Sequence, residues 1–276
     1  MGSRVNIRSL TSHEDCDACV ALQREVWGFG QDDIVPSSVL HIVQYVGGIA
    51  VGAFDDEGLL LGFVFGVSGV RDGVLSHWSH MLGVRESARN LGLGRMLKEH
   101  QRRALADIAV KRIYWTFDPL MAKNAHFNFN RLCARVVEYV PDMYGASSSP
   151  IHLGLATDRL VVFTPTTPPL SEPDPAWTAA VDTLPVLTPF PAAGDAVLAR
   201  GAERPPAVLL EMPADILADA ARDASAARTW REAVRANFLW AIGNGYIVAG
   251  VRPSSDGSRY YYVLAPDKAS PRPDGS

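Results

Sequence analysis

Met81-Leu82-Gly83-Val84-Arg85-Glu86-Ser87-Ala88-Arg89-Asn90-Leu91-Gly92-Leu93-Gly94-Arg95-Met96-Leu97 is the stretch on which the fold turns. It reads as the end of a strand, a short connection, then Arg-x-x-Gly-x-Gly opening an amphipathic helix. The first amides of a helix have no intrahelical partner, and the helix dipole adds partial positive charge there. Gly92 and Gly94 let the backbone approach an anion closely, and Arg89 and Arg95 add charge-assisted donors. The pattern is an anion cradle suited to a pyrophosphate. It is not a P-loop, because Arg95-Met96 stands where Lys-Ser/Thr is needed. Nor is it a dinucleotide fingerprint, because Leu97 stands where a third glycine belongs.

Downstream, the helix is expected from about Gly92 to Val110. Leu93, Met96, Leu97, Ala104, Leu105 and Ile108 form its apolar stripe, and Arg95, Lys98, Glu99, Arg102 and Arg103 its polar side. Residues 112–117 form a β-rich strand stopped by Asp118-Pro119. A helix is expected from about Lys123 to Arg135 and a strand near 159–163. Upstream, residues 4–10 read as a strand and 15–27 as a helix burying Ala18, Leu22, Val26 and Trp27. Pro36 starts a helix that Gly47-Gly48 ends. Residues 49–55 and 59–70 make a hairpin around Asp55-Asp56-Glu57-Gly58, followed by a strand at about 76–84.

Residues 164–206 hold ten of the nineteen prolines, a density that blocks regular ladders, and read as a linker or wrapping segment. Beyond it, Val208 to Met212 is a strand. Residues 214–240 are helical with Trp230, Val234, Phe238 and Ala241 aligned, and 246–251 with 259–264 form a second hairpin. The expected organisation is a main domain over 1–163, the Pro-rich segment 164–206, and a small α+β region over 207–276.

The chain of 276 residues is 47% hydrophobic and 20% charged, with net charge −4. This is an ordinary globular composition with no basic excess for nucleic acid. No span is apolar enough to predict a membrane helix, and no secretory signal opens the chain, so a cytoplasmic protein is expected. Three cysteines, Cys16, Cys19 and Cys133, imply no disulfide framework. Cys16 and Cys19 lack further ligands at metal spacing, so no metal is expected.

The Arg89, Gly92 and Gly94 pattern after a strand that follows a hairpin, with a further strand and an Asn-led helix behind it, resembles the GNAT acyltransferases over about residues 4–163. Trp115 to Leu120, Asn124-Ala125 and Tyr144-Gly145 resemble a subgroup with an extra C-terminal region. The resemblance implies an α+β fold with a mixed, largely antiparallel sheet flanked by helices. It implies acetyl- or succinyl-CoA as co-substrate. The amides from Leu91 to Met96, including Leu93 and Arg95, would hold the pyrophosphate, Met81, Leu82 and Val84 the pantetheine arm, and Asn124 would touch CoA. The acceptor implied is a small-molecule amine, a class that includes the amino acids. Pairing of two subunits through the tail is left open.

The reaction implied is direct attack of an amine on the thioester, with a backbone N–H such as that of Leu82 on the oxyanion. Asp118, at a strand end, is the first candidate base, and His80 the alternative on β-alternation. His77 faces the other way and reads as a packed or surface histidine. The family's usual proton-donating Tyr falls at Phe129, which has no proton to give, so Tyr144 is the candidate acid. That departure keeps a non-catalytic acyl-CoA sensor open beside the enzyme, and a protein N-acetyltransferase remains a third reading.

Overall fold

The computed structural model describes residues 5–28, 34–145, 154–167, 184–187 and 207–267. Helix α1 (His13–Trp27) begins at a capping box in which Ser12 Oγ accepts from the Asp15 N–H at 3.1 Å, and ends at Gly28 in the left-handed region. Its inner face carries Cys16, Cys19 and Leu22, all buried. Burial raises the Cys16 thiol pKa and pushes that of Cys19 to about 12, so both behave as core residues. Helix α2 (Ser37–Ile42) passes into a 3-10 turn (Val43–Val46) before Gly47, shorter as an α-helix than the sequence predicts.

Strands β1 (Asn6–Ser9), β2 (Ile49–Phe54), β3 (Leu60–Arg71) and β4 (Val74–Val84) form an antiparallel meander. Asp72 and Gly73, both with positive φ, make the tight turn between β3 and β4. Helix α3 (Leu93–Asp107) follows, then β5 (Arg112–Phe117), parallel to β4. A short helix α4 (Ala122–His126) continues as a π-helical turn (Phe127–Arg131). Here the structure departs from expectation. The helix does not reach Arg135, because Cys133 turns the chain with φ 50°, and Arg135 opens a strand, β6 (Arg135–Val140). With β7 (Arg159–Pro165) the sheet has the order β1-β2-β3-β4-β5-β7-β6. The fold is thus α+β, with a mixed, largely antiparallel sheet flanked by helices.

Most of the Pro-rich stretch (168–183 and 188–206) lies outside the described residues. Within it, β8 (Val186–Leu187) pairs in parallel with β9 (Val208–Pro213). The expected helix of the tail is two: α5 (Ile216–Arg222) and α6 (Ala224–Gly243). Asp215 and Asp223 each cap a helix by accepting from two backbone N–H groups, so the second cap sets the break. Strands β10 (Tyr246–Pro253) and β11 (Arg259–Pro266) complete a four-stranded sheet in the order β10-β11-β9-β8. Asn130, in the π-helical turn, faces the edge strand. Its Nδ2 donates to Val251 O at 2.7 Å, and its Oδ1 accepts from Val251 N–H at 2.9 Å.

The chain divides into two compact units. Unit 1 comprises Met1–Trp115, Ser149–Ile151 and Phe163–Leu170; unit 2 comprises Thr116–Ser148, His152–Val162 and Ser171–Ser276. The division between Met1–Trp115 and Thr116–Ser148 falls inside β5. The core of unit 1 packs Leu22, Leu40, Phe54, Phe63, Phe65 and Met81 together, with Trp27 edge-on to Phe63. In unit 2, Tyr262 is fully buried between Phe129 and Phe238 and donates its hydroxyl to Pro119 O at 2.5 Å. Among the described residues no helix is long and apolar enough to cross a membrane.

Candidate functional site

Unit 1 holds an open strand edge leading to an unpaired helix start. Strand β4 pairs with β5 only over Ser76–Trp78 with Arg112–Tyr114. Beyond Trp78 the ladder stops, so the backbone groups of β4 from Ser79 to Val84 have strand partners on the β3 side alone. On that side the register slips. Phe65 faces Met81 and Gly66 faces Ser79, so His80 is the extra residue of a β-bulge. A bulge leaves its extra residue out of the ladder and is favoured beside binding sites.

After β4, Arg85 N–H bonds to Leu61 O at 2.8 Å, and the Arg85 guanidinium pairs with Glu25. A short 3-10 turn (Glu86–Ala88) then delivers Arg89, Asn90 at φ 68° and Gly92 at φ 76°. Gly92 is the N-cap of α3 and supplies no side chain to it. Arg95 and Met96 N–H both bond to Gly92 O at 3.1 Å, while the amides of Leu91, Gly92, Leu93 and Gly94 have no partner among the described residues. Arg89, Leu91, Arg95 and Met96 are exposed around them. Left-handed backbone next to a helix start gathers N–H groups on one side, which makes an anion nest at the positive end of the dipole.

A meander, a parallel strand splayed from its end, and a bare helix N-terminus at the splay make one arrangement. The sheet order and the splay are those of a mixed, largely antiparallel α+β fold. No family model matches the chain, and no curated protein matches it. Among solved structures it is similar to the ribosomal-protein-S18-alanine N-acetyltransferase from Escherichia coli, at 16% identity, covering 60% of this chain and 96% of that one, with a TM-score of 0.48. It is also similar to an acetyltransferase of the GNAT family from Streptococcus pneumoniae, at 14% identity over 59% and 99% of the two chains, TM-score 0.46. A third is an aminoglycoside 6'-acetyltransferase type Ii, at 18% identity over 60% and 98%, TM-score 0.46.

His80 lies on the bulge with its ring edge-on to Phe65, centroids 6.2 Å apart. Part of the ring is open to solvent, yet the protein around it removes enough water to lower its pKa. At neutral pH it is therefore the neutral imidazole, able to accept a proton. His77 is packed: a Cβ on Gly66 would collide with its ring, so that strand position must be glycine. Desolvation, helped by the charge of Lys98, lowers its pKa to about 3.

The polar side of α3 is corrected by the structure. Lys98 is not on a solvated face; it is 9% exposed and its pKa is lowered by burial to about 7. Its Nζ donates to Ser79 Oγ at 2.7 Å and lies 4.5 Å from the Trp115 ring centre. Ser79 and Trp115 are the residues just past the last β4–β5 pair, Trp78 with Tyr114, so the ammonium occupies the apex of the splay. From there the donors run one way. Ser79 Oγ donates to Gln101 Oε1 (3.0 Å), and Gln101 Nε2 to His77 Nε2 (3.1 Å). His77 Nδ1 then donates to Ser68 Oγ (2.9 Å), and Ser68 Oγ to Gly47 O (2.6 Å). This assigns His77 the Nδ1–H tautomer and satisfies every member of a buried chain. Arg102 and Arg103 are held by Glu99, whose carboxyl they bring down to about 2. Lys98 is thus buried and Arg102 part-buried, while Arg103 is exposed to solvent but paired with Glu99.

The remaining expected site residues belong to unit 2. Both oxygens of Asp118 accept from Arg231, at 2.8 and 2.5 Å, and Oδ1 also accepts from Leu120 N–H at 2.9 Å. Its lone pairs are committed to holding α6 and the Asp-Pro turn. Tyr144 is exposed and its hydroxyl shares a 3.1 Å hydrogen bond with Thr116 Oγ1. Asn124 is exposed on α4. Phe129 is buried against Phe117 and Tyr262. Among the described residues no group of three or more His, Cys, Asp or Glu could hold a metal ion.

Proposed function

We propose that the chain is an acyl-CoA-dependent N-acyltransferase that moves an acetyl or succinyl group to a small-molecule amine. The observation that carries this reading is the open β4 edge from Ser79 to Val84 running toward the unpartnered amides of Leu91–Gly94. Such an edge accepts an extended amide-bearing arm by backbone pairing, and the nest accepts the phosphates at its far end. The donor set fits: Gly92 at φ 76° leaves open space where a Cβ would stand, and Arg89 and Arg95 flank the nest. Acyl-CoA supplies the activated acyl group.

The chain's own contribution is positional and electrostatic. Met81, Leu82 and Val84 offer backbone groups to the pantetheine arm. The N–H groups around the His80 bulge, that of Leu82 included, are the proposed donors to the oxyanion. His80, neutral at pH 7, is the proposed base that takes the proton from the attacking amine. It is preferred to Asp118 because the Asp118 carboxylate is already paired. No step is assigned to Tyr144, and the thiol of CoA is acidic enough to leave as thiolate.

Calorimetric titration with acetyl-CoA, succinyl-CoA and free CoA tests the reading. Saturable binding by the native chain and its loss in Gly94→Glu is the expected result. Absence of binding to all three would overturn it, and full affinity in Gly94→Glu would remove the helix start from the site.

A further inference from the structure

In unit 2 three arginines, two of them largely buried and the third part-exposed, gather around the carboxylates of Asp118 and Asp158. Arg231 on α6 is 4% exposed and forks onto Asp118. Arg235, one turn further, forks onto Asp158 at 2.8 and 2.6 Å, and Tyr139 donates its hydroxyl to the same carboxylate at 2.6 Å. Arg159, on β7, has no carboxylate of its own. It stands 3.9 Å from Asp118, beyond hydrogen-bond reach, and its Nη1 is used on the Asp158 backbone carbonyl at 2.8 Å. Its side chain is only 11% exposed. Three guanidiniums thus act with two carboxylates, Asp118 and Asp158, and an arginine does not shed its proton to relieve the surplus.

The donors are also unmatched. Arg231 Nε is buried with no partner among the described residues. Arg159 Nε and Nη2 make no hydrogen bond to any described residue, and its guanidinium lies 5.2 Å from the ring centre of Tyr144. Tyr144 is exposed beside Arg159, and its hydroxyl shares a hydrogen bond with Thr116 Oγ1. A buried unmatched donor costs stability, and an acceptor arriving from outside would offset that cost.

We infer that Arg159, with Arg231 behind it and the hydroxyls of Thr116 and Tyr144 at its margin, forms a binding site for the carboxylate group of a small organic acid. A carboxylate is planar, carries the single charge needed to balance the surplus, and accepts two parallel N–H bonds from a guanidinium fork. A phosphate dianion would overshoot by one charge. The inference deepens the proposed acyl transfer, and rests on it only for whose carboxylate is held: that of the amine acceptor, as in an amino acid, or that of a dicarboxylic acyl group.

The test uses the full chain without CoA, titrated calorimetrically with L-alanine, L-glutamate, succinate and inorganic phosphate. At least one carboxylate should bind saturably, more tightly than phosphate. Arg159→Gln should weaken it at least tenfold, with Arg159→Lys intermediate. Tyr144→Phe leaves all buried charges in place and should weaken it severalfold, so a variant that folds is always in hand. Amino acids binding without succinate assigns the site to the acceptor; succinate alone assigns it to the acyl group. No carboxylate binding by the native chain, phosphate binding more tightly, or unchanged affinity in both Arg159→Gln and Tyr144→Phe overturns the inference. A parallel CoA titration reports separately on acyl transfer, so failure of one does not pass for failure of the other.

Discussion

Replacing Lys98 by methionine keeps the length of the side chain and removes a buried ammonium. In the folded chain burial lowers the Lys98 pKa to about 7, from 10.5 for the free side chain. Below pH 7 both folded and unfolded chains carry the proton, and the full cost of burying the charge is present. Between pH 7 and 10.5 the unfolded chain binds the proton and the folded chain releases it, so stability rises with pH. Integrating from pH 7, where the folded site is half protonated, to pH 9 gives a gain of about 2 kcal/mol. Lys98→Met has no such site. The stability of the native chain relative to the variant should therefore shift in the native chain's favour by about 2 kcal/mol from pH 7 to pH 9. With an m-value of about 3 kcal/mol/M in urea, that is a relative midpoint shift of about 0.7 M. Urea unfolding of both proteins at the two pH values, followed by circular dichroism, measures it. All other titrating groups cancel in the difference. A gap that stays constant with pH would refute the reasoning, because the ammonium would then have to be solvated or paired.

His80→Gln should lower turnover by about 10²- to 10⁴-fold with CoA affinity intact. Because desolvation lowers the His80 pKa, the acid-side fall of the native kcat/KM should be centred below the ordinary histidine value of 6.5; a fall centred above it would remove His80 as the base. Arg231→Met should destabilise by about 3–5 kcal/mol in chemical denaturation, since it strands the Asp118 carboxylate, and adding Asp118→Asn should recover much of the loss. A loss under about 1 kcal/mol would show that the pair is solvated.

What could be read from the sequence was local. The cradle from Arg89 to Gly94 announces itself because positive φ, a helix start and an apolar stripe are all written within one short stretch. The bulge at His80 is not so written, since it exists only relative to the register of β3. Lys98 was legible as charged, hence as outside, and Gln101 gave no signal. They turn inward because Ser79 and His77, on a strand far away in sequence, supply partners that a helical pattern does not display. The expected helix ran on to Arg135, where strand β6 begins, because nothing in Cys133 advertises a left-handed turn. The arginines of the tail gave no signal in the sequence; Arg231 finds Asp118 across 113 residues, a distance at which periodicity says nothing.

Strand β10 is the outer strand of the tail sheet, and outer strands carry unpaired backbone groups that recruit neighbouring molecules into aggregates. Asn130 fills that vacancy at Val251 with the same donor and acceptor a further strand would bring. One side-chain amide thus serves as an internal terminator of sheet growth. It protects the solubility of the tail at Val251, where a passing chain finds no backbone position left to occupy.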